Sequence, residues 1–76
     1  MEEYAEYRAS VFDREQGCYE QLFVTQHTPL LAKNRAIERA VEFNRYWNRN
    51  FDTQKVLVEK RTVRITREKW RKCNEN

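Results

Sequence analysis

Side chains able to do chemistry are few in this sequence, and they lie far apart along it. The single histidine, His27, has no serine or cysteine beside it, and Cys18 begins a predicted strand, where a cysteine usually serves as a small apolar residue. Glu38 and Glu42 are one helical turn apart, but such carboxylate pairs bind metal in helical bundles together with histidines, and none is near. We therefore expect a protein that is not an enzyme, with no catalytic site, no metal and no cofactor.

Basic side chains crowd the last third of the chain. The 76 residues carry a net charge of +3, yet residues 1–28 hold two basic against six acidic side chains, and residues 55–76 hold eight against three. Such a cluster focuses a positive potential that phosphates or an acidic protein surface can meet. The alternative is a solvated edge whose lysines discourage aggregation. The candidate contact residues are Lys60, Arg61, Arg64, Arg67, Lys69, Arg71 and Lys72, with Trp70 in their midst.

Aromatic residues make up 13% of the chain, which is more than one helix can bury. If Leu22 and Val24 face the helix, several rings lie on a sheet face that no second layer covers, with Val56 and Val58 beside them. Exposed patches of this kind usually mark a partner site. The opposite phase puts the same rings in the core, and the pattern leaves both phases open. These candidate partner-binding residues are Tyr4, Phe12, Tyr19 and Phe23.

Two strands and a turn are predicted at the front of the chain. Residues 4–12 alternate, with Ala5, Tyr7, Ala9 and Val11 on one face and more polar residues on the other. The loop 13–17 ends on Gly17, where a hairpin needs a positive φ, and 18–27 follows as the partner strand.

A helix is predicted from Pro29 to about Asn48. Thr28 is a suitable N-cap, and proline fits the first helical turn because its missing N–H is not needed there. We expect Asn50 to take the left-handed conformation that ends the helix. The apolar stripe consists of Ala32, Ala36, Ala40, Phe43 and Trp47, and we expect Trp47 to be a large core anchor.

The last predicted strand covers Thr53–Thr66, with a bulge near Lys60, and it returns beside the first strand so that Glu6 can pair with Arg64. The chain is thus predicted to be a single α+β domain over 1–76, with an ordered core of about 4–66 and a basic tail 67–76. Its order is β-β-α-β: a three-stranded antiparallel sheet with one amphipathic helix on one face.

Composition excludes a membrane-spanning segment, because charged residues make up 36% of the chain and no long apolar run occurs. We expect a cytoplasmic location. Two cysteines are fewer than small disulfide scaffolds usually carry, so we expect Cys18 and Cys73 to remain as thiols.

The layout of residues 4–66 resembles small phage or mobile-element accessory proteins of the anti-CRISPR type, several of which pack a few antiparallel strands on one helix. The resemblance implies a regulatory or inhibitory protein that blocks a host protein or nucleoprotein complex, such as a CRISPR effector, by occupying its surface. The alternative is a nucleic-acid-binding protein that uses the C-terminal basic stretch. In either case a homodimer is an expected state, since a second copy would cover the uncovered sheet face or an open edge strand.

Overall fold

A computed structural model describes residues 3–64 and 69–73. It consists of β1 (Tyr4–Asp13), β2 (Cys18–Thr25), α1 (Pro29–Tyr46), β3 (Phe51–Val63) and β4 (Arg71–Lys72). Within the described residues the strands form one antiparallel sheet in the order β2-β1-β3-β4, so that β1 and β3 are central.

The α+β class and the single helix on an antiparallel sheet are confirmed, but the predicted three-stranded β-β-α-β order is wrong. Residues expected in the tail form β4, a fourth strand of two residues, because Arg71 and Lys72 pair with Lys60 and Glu59 along the outer edge of β3. A strand this short has no alternating pattern that a sequence could show.

The hairpin between β1 and β2 forms where it was predicted. Gly17 has a φ of 70°, which glycine adopts without steric cost. Asp13 closes the turn, because its side chain accepts hydrogen bonds from the backbone N–H groups of Glu15 and Gln16.

Strand β2 contains an irregularity that the sequence did not reveal. Ala9 pairs with Phe23 but Ser10 pairs with Gln21, so Leu22 is an extra residue in β2. A bulge reverses the phase of the residues beyond it. Neither predicted phase of this strand is therefore correct along its whole length.

The helix begins as predicted. The hydroxyl of Thr28 accepts a hydrogen bond of 3.0 Å from the N–H of Leu31. The helix ends at Tyr46, and Asn48 rather than Asn50 has a positive φ, of 54°. Trp47 is 70% exposed and is not a core anchor, since it lies beyond the last helical residue, where the 3.6-residue period no longer applies.

The core between α1 and the sheet is built from small side chains. Ala32, Ala36 and Ala40 are fully buried against Ala9 and Val11 of β1. Alanines let the helix approach the sheet closely, as their position on the stripe predicts. Larger side chains close the ends of this layer: Tyr7, Phe23, Phe43, Phe51, Val56 and Val58.

Strand β3 lies beside β1 as predicted, but its bulge is elsewhere. Val11 pairs with Val56 and Phe12 with Asp52, so residues 53–55 have no partner in β1. The pairing is regular at Lys60, where the bulge was expected. Val56 and Val58 consequently face the helix, and the prediction that they join an uncovered apolar patch is wrong.

Candidate binding surface

The basic edge is a group of four cations at the border of the sheet, on β3, β4 and the residue before Trp70. Lys60 and Arg71 are direct partners across the two strands, and Lys72 lies opposite Glu59. Within the described residues none of the four lies within ion-pair distance of a carboxylate, so their charge faces solvent. The basic edge consists of Lys60, Lys69, Arg71 and Lys72, all exposed.

Two other members of the predicted cluster are neutralised by the front of the chain. Arg61 forms a 2.7 Å ion pair with Glu6, its direct partner in β1, and Arg64 forms one of 2.8 Å with Glu3. The predicted Glu6–Arg64 pair is therefore wrong, because the register sets Arg61, three positions earlier, opposite Glu6. Arg67 lies outside the described residues. Two acids of the front of the sequence thus neutralise two arginines of its back within the fold.

The sheet face opposite α1, here called the outer face, is covered by charges. Arg8 forms a 2.7 Å ion pair with Glu59 next to the Glu6–Arg61 pair, and both pairs are mostly shielded from solvent. Sequence reasoning missed this ladder, although Glu6 and Arg8 repeat the order of Glu59 and Arg61. Because the strands run antiparallel, the same order at a spacing of two sets each acid opposite an arginine, and this repeat is the signal for the pairing.

Trp70, a candidate contact residue, lies over this ladder and is half-buried. Its ring is 4.6 Å from the guanidinium carbon of Arg8 and 4.3 Å from that of Arg61, so two cations stack on it. The backbone N–H of Cys73 donates to the carbonyl of Val58 at 2.8 Å and holds residues 71–73 against β3. Trp70 therefore ties the C-terminal segment to the sheet.

The predicted aromatic patch does not assemble as a continuous surface. Phe23 packs against the core beneath α1, since the bulge at Leu22 turns it inward. Phe12 and Tyr19 do meet on the outer face, edge to face with centroids 5.4 Å apart, and the Lys55 ammonium lies 4.9 Å from the Phe12 centroid. Tyr4 is partly exposed at the far end of β1, 38% by area. The four rings thus occupy three separate places in the fold.

A charge network around the buried Asp13 joins the hairpin to the exit from the helix. Arg49 donates to Asp13 at 2.9 Å and to Glu20 at 2.7 Å, and its guanidinium lies 4.6 Å from the Phe51 ring centroid. The hydrogen bond from Arg49 holds the pKa of Asp13 below its ordinary value of 3.8, against the opposing effect of burial. Hydrogen bonds to Glu20 and Asp13 raise the pKa of Arg49. The network is structural, because it satisfies a carboxylate that is 2% exposed.

The exposed aromatic pair at the end of the helix was also missed. Tyr46 is 68% exposed and Trp47 is 70% exposed, with the Arg45 guanidinium 5.9 Å from the Tyr46 ring. The helical stripe predicted burial for Trp47, so no signal in the sequence marked it as a surface residue.

Residues considered for chemistry remain apart. His27 and Cys18 are exposed at opposite ends of β2, and Cys73 lies at the other border of the sheet from Cys18, too far for the two to bond to each other. Glu38 pairs with Arg35 at 3.1 Å. Among residues 3–64 and 69–73, no three His, Cys, Asp or Glu side chains come together in a way that could hold a metal ion.

No helix in the described part of the chain has the length and apolar character needed to cross a membrane. Comparison of the chain with protein-family models, with curated proteins and with solved structures gave no match. Functional inference therefore rests on the surfaces described above.

Proposed function

We propose that this protein is a non-enzymatic binding module that acts by occupying the surface of a larger partner, as a regulator or an inhibitor. The partner's contact surface is an acidic protein surface, and the basic edge is the part of this chain that meets it. The layout shared with small phage accessory proteins of the anti-CRISPR type favours a host protein or nucleoprotein complex, such as a CRISPR effector, as the target.

The uncompensated charge of the basic edge carries this proposal. Glu6 and Glu3 neutralise Arg61 and Arg64. No member of the basic edge has a carboxylate partner among the described residues: Lys60, Lys69, Arg71 and Lys72. A local excess of one charge at the border of a small domain steers association with a surface of opposite charge.

The contacts that cover the aromatic rings favour a protein over a nucleic acid as the partner. Proteins that bind unpaired bases offer exposed aromatic rings next to a basic groove. Here Trp70 is stacked on two arginines and Phe23 lies against the core, so each ring is already half-buried by contacts within the fold. Nucleic-acid binding remains the second candidate, supported by the same four cations, which can also meet backbone phosphates.

The test compares two neutralised variants with the same change of net charge. Lys60→Gln/Arg71→Gln removes two charges from the basic edge, and Arg45→Gln/Lys55→Gln removes two charges elsewhere. Wild type and both variants are immobilised, exposed to a host lysate and washed, and the retained proteins are compared. We expect a set of acidic proteins that the wild type and the control retain and the edge variant loses.

A second arm separates the two candidates. Single- and double-stranded DNA and RNA are titrated with the protein at two salt concentrations. We expect no complex at micromolar protein and low salt. A complex whose affinity falls steeply with salt, and which the edge variant weakens more than the control does, would overturn the protein-binding proposal in favour of nucleic acid. Equal retention of lysate proteins by both variants would show that the basic edge is not the contact site.

A further inference from the structure

A charged groove runs between α1 and the outer border of β2, away from the basic edge. Its volume is about 420 Å³. The ring of Phe23 forms its floor, and the guanidinium of Arg39 lies 5.5 Å from that ring's centroid. Its wall is one stripe of the helix, here called the charged helix stripe, which consists of Arg35, Glu38, Arg39 and Glu42.

The border of β2 beside this groove is an open sheet edge. β2 pairs with β1 alone, and in residues 3–64 and 69–73 no strand lies on its other side. Open edges are commonly protected by lysine or proline. The sequence of β2, Cys18–Thr25, contains neither, and Glu20 is its single charged residue. The bulge at Leu22 shortens the regular part of the β2 edge. Pairing of another strand with this edge would therefore not by itself fix the register between the two strands.

We infer that a second copy of this chain occupies the groove and forms a homodimer across a two-fold axis that passes beside Phe23. The charged helix stripe is complementary to itself when two helices run antiparallel. Arg35 of one copy then faces Glu42 of the other, and Glu38 faces Arg39. All four positions meet an opposite charge in a single register, whereas a parallel arrangement would set each residue against its own copy.

The geometry of the fold allows this contact. The helix packs on β1, β2 and β3 to a similar extent, so its axis lies over the middle of the sheet near β1. Strands are about 4.8 Å apart, which puts the two helix axes about 14 Å from each other when the β2 edges adjoin. Arginine and glutamate side chains from both helices together span that distance, and the two Phe23 rings fill the space beneath them.

The monomer leaves these charges available. Arg35 and Glu38 pair with each other at 3.1 Å, but both side chains are more than half exposed. Glu42 has no ion pair with any described residue, and Arg39 contacts a ring rather than a carboxylate. An isologous contact, in which the same patch serves both copies, satisfies all of them at once. This dimer is independent of the basic edge, so its test and the test of the proposed function can fail separately.

Charge reversal tests the pairing directly by sedimentation equilibrium. We expect wild type to reach twice the 9.4 kDa of one chain as its concentration rises from micromolar to millimolar. Arg35→Glu and Glu42→Arg each turn two attractive pairs of the dimer into repulsive ones, so each variant alone should dissociate at about tenfold higher concentration or more. An equimolar mixture of the two variants restores both pairs, and it should form the dimer as wild type does.

Arg45→Glu is the control, because it makes the same charge change as Arg35→Glu at an exposed helix position outside the groove. It should leave the dimer intact, and circular dichroism should show that every variant is folded. Amide exchange of β2 should slow as the dimer forms. A wild type that is monomeric at every concentration overturns the proposal and leaves the edge to a strand of another protein. A dimer that survives both reversals, or a mixture that fails to restore it, overturns the proposal as well.

Discussion

Asn44 joins the helix to the start of β3 by hydrogen bonds. Replacing Asn44 and, separately, Trp47 tests which of the two side chains stabilises the junction between α1 and β3. The Asn44 side chain accepts a hydrogen bond of 2.7 Å from the N–H of Phe51 and donates one of 2.9 Å to the carbonyl of Phe51. Phe51 is 2% exposed, so water does not readily replace either bond. Trp47, by contrast, is 70% exposed.

The expected cost of Asn44→Ala follows from these contacts. Each buried backbone group left without a partner costs about 1–3 kcal/mol. Alanine returns roughly 0.7 kcal/mol because it is the better helix former. Since two such groups are left, we expect Asn44→Ala to lower the free energy of unfolding by about 1–5 kcal/mol, out of a total of about 5–10 kcal/mol for a domain of this size. Trp47→Ala should change it by less than about 0.5 kcal/mol, as surface substitutions usually do.

The assay is urea and thermal unfolding followed by far-ultraviolet circular dichroism. Each kcal/mol lost corresponds to a fall in Tm of about 4–8 °C in a domain of this length. Asn44→Asp is the matched variant, because it keeps an acceptor for the Phe51 N–H but sets a carboxylate against the Phe51 carbonyl. If Trp47→Ala destabilises the protein more than Asn44→Ala does, the assignment of Trp47 to the surface and of Asn44 to the joint is refuted.

Three further predictions concern other parts of the molecule. Trp70→Phe leaves Trp47 as the single tryptophan, and its fluorescence should be quenched readily by acrylamide because Trp47 is exposed. The fluorescence of Trp47→Phe should be quenched less, because Trp70 is covered by two arginines. Equal quenching of the two variants would contradict the stacked position of Trp70. Because the folded pKa of Asp13 is lowered, its contribution to stability is present above pH 3.8 and is lost as the pH falls through the folded value. Asp13→Asn, which keeps an acceptor for the turn but loses the charge that pairs with Arg49, should flatten the acid side of the stability profile, and an unchanged profile would show that the pair does not matter. Gly17→Ala should cost about 1 kcal/mol of unfolding free energy in the same urea assay, through backbone strain alone, since nothing lies within 4 Å of an added Cβ; an unchanged midpoint would contradict the positive φ.

The helix and its cap were predictable because the signals are local. Thr28 and Pro29 mark the start within two residues, and alanines at a spacing of four mark the buried stripe. The end was less predictable, since the stripe continues formally to Trp47 while the chain leaves the helix at Tyr46. Local periodicity contains no information about where tertiary contacts stop.

The central pairing of the sheet, β1 between β2 and β3, was predictable, but its fourth strand and the phase of β2 were not. The alternation of 4–12 correctly placed Tyr7, Ala9 and Val11 beneath the helix. The extra residue Leu22 could not be found from β2 alone, because a bulge is defined by the partner strand. The four cations of the basic edge, which have no ion pair among the described residues, belong to a larger predicted cluster. Separating them from it required the knowledge that Glu6 and Glu3 neutralise Arg61 and Arg64.

The position of β1 has a consequence for the order in which this fold can assemble. β1 is paired on one side by β2, a few residues away, and on the other by β3, with ion pairs that join residues 51 and 55 positions apart in the chain. Contacts at such separation are slow to form, because a long loop must close before they stabilise anything. During synthesis, the hairpin and the helix are therefore complete before β3, the longest strand of the sheet, exists. Glu6 and Arg8 can form their cross-strand ion pairs only after Arg61 and Glu59 have been synthesised. Folding that starts at the front of the chain should be completed only when its last third arrives.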